Sequence, residues 1–167
     1  MRWFFTVILV TLSVSSWPVN AGFDRWTADK KSDPFSGGQK VTVTNMSSMR
    51  SGIVIFCDSA ETGLTVRAIP GYAYQAALAL IEPDIQFAFD GKKMLSQKGE
   101  TGTVGDNLAV SQVTLSPENS RIFAKAFAGA VKQVAIQDGI SDQPHLMTAR
   151  GSTKSGRALI ECMQSQE

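Results

Sequence analysis

The chain has a single histidine, His145, and only two cysteines, Cys57 and Cys162. With one imidazole, a Ser-His-Asp or Cys-His arrangement has no choice of base, and no Gly-x-Ser-x-Gly elbow supplies a serine. The cysteines are not spaced Cys-x-x-Cys, so a redox-active dithiol is not expected. A closed cysteine pair and one histidine also leave too few ligands for a zinc centre. Charge of one sign is missing as well, since 16 basic residues face 15 acidic ones. A nearly neutral chain carries no basic stripe for nucleic acid or anionic lipid. No dense alternation of aspartates marks a calcium loop. After the first 21 residues no hydrophobic run approaches the roughly 20 residues needed to span a bilayer. On these grounds the sequence assigns no catalytic residue, no metal and no cofactor.

The N-terminus is more informative. Arg2 supplies a positive start, residues 3–14 (WFFTVILVTLSV) form an uncharged apolar run, and Val19-Asn20-Ala21 places small residues where a signal peptidase cuts. This pattern predicts a cleavable export signal over 1–21 and one mature domain over 22–167, with no permanent membrane anchor. The mature part, about 146 residues, is enough to bury a single core. Export brings the two cysteines into an oxidising compartment, which predicts a Cys57–Cys162 disulfide. The loop it closes is roughly a hundred residues, for which chain entropy gives about 4 to 5 kcal/mol.

Residues 22–40 are polar, with turn signals at Asp33-Pro34 and Gly37-Gly38, and read as an irregular lead-in tacked to the body by Trp26. Strands are expected at 41–45 (VTVTN), 52–58 (GIVIFCD) and 64–69 (LTVRAI), with a hairpin turn over 59–63. The segment 72–81 (YAYQAALALI) lies between Pro70 and Pro83 and reads as a short irregular piece. A strand at 85–89 follows, and Asp90-Gly91 turns it into a return strand starting at 92–95. The glycine-rich stretch 99–107 (GETGTVGDN) reads as a loop, and 108–115 as a strand. Ser116-Pro117-Glu118 opens a helix, with a capping hydroxyl, proline at the first position and a carboxylate near the positive end. Its apolar face is expected to comprise Ile122, Phe123, Ala126, Phe127 and Ala130. Strands at 131–136 and 146–149 and a final helix over 155–163, with Ala158, Leu159 and Cys162 inward, complete the pattern. The expected fold is α+β, a mainly antiparallel sheet with one or two helices packed on it, both in the C-terminal half.

Few residues suggest chemistry. His145 follows Gln143-Pro144 and reads as a solvated turn residue. The segment 151–157 (GSTKSGR) lacks the Lys-Ser/Thr of a phosphate loop and reads as a polar turn capping the last helix. There Lys154 and Arg157 could contact an anion or a partner's carboxylate. Asp84, Asp90, Glu100, Asp106, Glu118 and Asp138 are scattered and suit turn and surface roles. Tyr72, Tyr74, Phe87 and Phe89 suit a core or a sheet edge.

A family pattern runs along the mature chain. It consists of Trp26, Asp33 before the strand at 41–45, and the strand into Cys57. Further on come Ile-x-Phe-x-Phe-Asp at 85–90, the Phe/Ala-rich helix at 122–130, and the small-residue segment from Gly151 to Cys162. In this order the chain resembles the VasI/TagO-type periplasmic accessory proteins of type VI secretion systems in Gram-negative bacteria. It is similar, in second place, to exported proteins of the invasion-associated locus B type. The resemblance implies a periplasmic, non-enzymatic accessory or binding protein whose partners are envelope proteins or cell-wall components. The alternatives are a small envelope hydrolase, using dispersed carboxylates or His145, and an inhibitor of a wall-degrading enzyme.

Overall fold

The computed structural model describes residues 23–32, 34–35 and 37–166. The export signal expected over 1–21 lies outside them. Ten strands and two helices follow in the order β1 (Thr27–Ser32), β2 (Gln39–Met46), β3 (Gly52–Asp58), β4 (Thr65–Ile69), β5 (Asp84–Phe89), β6 (Lys92–Lys98), β7 (Glu100–Val104), β8 (Leu108–Thr114), α1 (Pro117–Gly129), β9 (Gln133–Gln137), β10 (His145–Thr148) and α2 (Ser152–Gln164). A 3-10 turn, Ala76–Leu80, lies between β4 and β5. The strands form two sheets, ordered β1-β2-β3-β4-β8-β7 and β10-β9-β5-β6. Every strand pairing is antiparallel. This is an α+β fold with both helices in the C-terminal half.

Alternation of buried and half-exposed residues along β2, β3 and β4 puts Val41, Val43, Ile53, Ile55, Cys57, Val66 and Ala68 on one inner face. The smaller sheet turns Ile85, Phe87, Phe89, Val134, Ile136 and Met147 toward the same interior. Between them α1 inserts Phe123 and Phe127. Phe123 meets Phe87 edge-on at 5.1 Å between ring centroids, and Phe127 meets Trp26 edge-on at 4.8 Å. Trp26 is only 2% exposed, and its indole N–H donates to the Thr148 carbonyl at 2.9 Å, so it does fasten the start of the chain to the body.

Several expectations are corrected. The lead-in over 22–40 is not irregular throughout, because Thr27–Ser32 pairs along its whole length with β2. Its outer residues are exposed polar groups, so no apolar alternation betrays it. The loop expected over 99–107 contains β7, where glycines at 99, 102 and 105 hide a strand paired with β8 from Glu100↔Gln112 to Val104↔Leu108. Only Gly105, Asp106 and Asn107 turn the hairpin, and the first and last of them take positive φ. On α1 the buried stripe is Ser120, Phe123, Ala124 and Phe127, whereas Ile122 is exposed. The helix is rotated because it packs against α2 as well as the sheets, which pulls Ala124 inward.

The segment 151–157 is likewise not a loop. Gly151, at φ 90°, caps α2, and the helix begins at Ser152. A Cβ at position 151 would lie 2.3 Å from the Trp26 carbonyl oxygen, so close approach as well as backbone conformation requires glycine there. Ala158, Leu159 and Cys162 face inward as expected. The disulfide joins Cys57 on β3 to Cys162 on α2 across a sequence separation of 105, with the Cα atoms 6.3 Å apart. A Lys30–Glu161 ion pair and hydrogen bonds from the Gln166 amide to the carbonyls of Asp58 and Gly63 hold the same helix from either side.

Candidate functional site

Three surface features carry polar or apolar groups beyond what the fold consumes. The first is the strap over residues 72–81. Its backbone is fixed by hydrogen bonds: the Tyr74 N–H donates to the Asn107 carbonyl at 2.8 Å, the Thr101 hydroxyl to the Leu78 carbonyl at 2.7 Å, and the Ala109 N–H to the Tyr72 carbonyl at 2.9 Å. Because main-chain atoms make these contacts, the side chains are left facing out. No residue of Ala76–Leu80 is buried, and Leu80 is 90% exposed, with Ile81 and Tyr72 also exposed. Six consecutive apolar residues, 76–81, are thus displayed on an anchored backbone. Contiguous exposed apolar surface is uncommon on monomeric proteins and marks interaction sites. The sequence reading of 72–81 as a short irregular piece is right about conformation and silent about exposure.

Beside the strap, the loop from β9 to β10 builds a polar cluster around Asp138. That carboxylate is fully buried. It accepts hydrogen bonds from His145 Nε2 at 2.9 Å, from the Ser141 hydroxyl at 2.7 Å, and from the backbone N–H groups of Ile140 and Ser141 at 3.1 and 2.8 Å. Burial alone pushes the Asp138 carboxyl up, but these donors outweigh it and hold the group below the usual carboxylate range. His145 is therefore not a solvated turn residue, since its side chain is 9% exposed and Nε2–H is committed to Asp138. Asp138 correspondingly has a buried structural role and not a surface one. The sequence signal was a carboxylate and an imidazole seven positions apart, which is too common a spacing to single out. Nδ1 of His145 has no partner among the described residues. His145 lines a shallow hollow of about 400 Å³ with Ser51, Pro70, Tyr72 and Ser141. The Tyr72 hydroxyl donates to the Ile140 carbonyl at 2.9 Å, tying the strap to this loop. Burial, and then the nearby charges of Asp138 and Asp142, raise the Tyr72 phenol above its ordinary value against a hydrogen bond with Ser141.

The third feature is the pair of helices. Lys154 and Arg157 lie on α2, three residues apart and exposed. They belong to a helix surface instead of the loop in which the sequence placed them. Arg121 and Lys125 of α1 line a cleft of about 430 Å³ between the two helices, whose apolar walls are Ile160, Met163 and Pro117. The disulfide cysteines sit below this layer and are structural. Of the carboxylates weighed from sequence, Asp90 accepts backbone N–H groups of Val131, Lys132 and Gln133 at 2.9, 2.6 and 2.9 Å and pins the β5–β6 turn to the start of β9. Tyr74 lies on the strap, while Phe87 and Phe89 are core residues.

Among the described residues no helix is long and apolar enough to cross a membrane, and no cluster of three or more His, Cys, Asp or Glu side chains could hold a metal ion. The chain matches no protein-family model, no curated protein and no solved structure.

Proposed function

We propose that the protein is an exported, periplasmic, non-enzymatic binding or accessory protein of the cell envelope, of the secretion-associated kind implied by its resemblance to the VasI/TagO type. The observation that carries this reading is the anchored apolar strap, 76–81, with Leu80 90% exposed on a backbone already hydrogen-bonded to β7 and the β7–β8 turn. A segment ordered before binding loses little further backbone entropy on association, and its apolar side chains gain by leaving water. The disulfide suits an oxidising compartment. The test is to express wild type and Leu80→Asp with the native leader, recover each from the envelope fraction after mild cross-linking, and compare co-purified proteins. The reading expects one or a few envelope proteins with wild type that are lost with Leu80→Asp at equal protein level. Identical recoveries would refute it.

A second reading, a small envelope hydrolase, is favoured by one observation. Asp138 orients His145, whose side chain lines a hollow, an arrangement that would suit an imidazole acting in proton transfer. His145→Ala would then abolish turnover of wall fragments by purified protein. Absence of any turnover in wild type removes this reading.

A further inference from the structure

We infer that the cleft between α1 and α2 docks an acidic, amphipathic segment of a partner protein. The proposal deepens the reading of the chain as a binding protein, and it stands on a surface separate from the strap. The groove is bordered at one end by Thr62 and Gly63, which precede β4, whereas the strap follows β4, so the two surfaces lie at opposite ends of that strand.

The argument is one of charge and shape together. The two helices carry four exposed cations and only two carboxylates; Arg121 and Lys125 on α1 line the cleft, whereas Lys154 and Arg157 stand in the first turns of α2, outside its lining. Of these, Glu161 is engaged by Lys30 of β1, and Glu118 sits in the first turn of α1 where the helix dipole favours it. None of the four cations has an ion pair among the described residues. The whole chain is nearly neutral, at +1, so positive charge is concentrated on this layer and offset elsewhere.

Beneath the charges the cleft is apolar. Ile160 and Met163 are only partly buried and pack against the core from its floor. The helices touch closely at Gly156 and Ala128, and the cleft lies beyond that contact, toward the start of α1 and the end of α2. An occupant must therefore bring apolar side chains to the floor and carboxylates to Arg121 and Lys125. A small carboxylate would leave the apolar floor uncovered, whereas an acidic amphipathic segment laid along the groove covers Ile160 and Met163 and meets Arg121 and Lys125 together.

The probe is a fluorescein-labelled synthetic peptide of glutamate and leucine at helical spacing, titrated with purified oxidised protein and followed by anisotropy. Wild type binds it, binding weakens as salt rises, and Arg121→Glu with Lys125→Glu lowers affinity at least about tenfold. Lys92→Glu with Lys93→Glu on β6, and Leu80→Asp on the strap, leave it unchanged. Circular dichroism and melting confirm that each variant folds. No binding by wild type, equal binding of the lysine-for-glutamate peptide, or indifference to the α1 charge reversal overturns the proposal. So does binding of phosphatidylglycerol vesicles or duplex DNA that the peptide does not compete away. The Leu80→Asp control separates this result from failure of the strap.

Discussion

Replacing Gly156 by alanine sets two effects against each other. In an exposed helix interior the change would gain about 1 kcal/mol from helix propensity. At this position the new Cβ would lie 2.7 Å from Ala128 Cβ, 2.8 Å from Ala128 Cα and 2.9 Å from its nitrogen. Two of those three atoms are backbone, so no rotamer change relieves the contact and the helices must separate. Separation is resisted from below, because α2 is joined to β3 by the disulfide. Overpacking of this kind costs roughly 1 to 3 kcal/mol, and a backbone clash belongs at the upper end. The net expectation is a loss of about 2 kcal/mol, or about 4 to 8 °C in Tm for a domain of this size.

Urea unfolding of the oxidised protein, followed by circular dichroism, measures the effect as a lower midpoint at unchanged slope. Gly129→Ala is the control, since nothing lies within 4 Å of a Cβ there, and it should be neutral or mildly stabilising. Ala128→Gly should recover part of the loss in the Gly156→Ala background, a coupling the double-mutant cycle reads directly. If Gly156→Ala instead raises stability by the propensity increment, the close packing of α1 on α2 is wrong.

Further outcomes follow from the same structure. Cys57→Ser with Cys162→Ser should lower the unfolding free energy by about 4 kcal/mol, measured by urea titration against oxidised wild type. A loss below about 1 kcal/mol would show that the link does not constrain the chain. Asp138→Ala leaves His145 Nε2–H, the Ser141 hydroxyl and two backbone donors without their acceptor, for a loss of about 3 kcal/mol. The folded Asp138 carboxyl is held below its unfolded value of about 4. Its stabilisation is therefore present above that pH and lost as pH falls through the lower folded value. Asp138→Asn should flatten the acid side of a stability profile, with a residual slope from Asp84 and Asp90, whose carboxyls are also depressed. Asn45 is buried with neither amide atom partnered among the described residues. Asn45→Leu should accordingly stabilise by about 1 kcal/mol in thermal melts, and destabilisation would show that the amide is partnered.

What could be read from the sequence depended on where water lies. Strands β2, β3, β4, β5 and β8 have one face on the core, so their side chains alternate and the alternation located them. The two missed strands, β1 and β7, are the two edges of the larger sheet. Edge strands need no apolar face, and lysines such as Lys30 and Lys31 on β1 protect an edge from pairing with another chain. A strand built that way carries the composition of a loop. The disulfide was legible because two cysteines allow one pairing. The His145–Asp138 contact was not, because it depends on how the loop after β9 folds back. The strap was visible as an apolar segment, but only the backbone hydrogen bonds of Tyr74, Thr101 and Ala109 show that it is held on the surface.

The claim that the strap is the partner-binding surface can be tested most directly with a photoreactive amino acid at position 80 of the full chain, irradiated in intact envelopes. The account predicts a discrete cross-linked product from position 80 that is absent when the same group is placed at Lys92. Equal products from both positions, or none from position 80 at full expression, would contradict it.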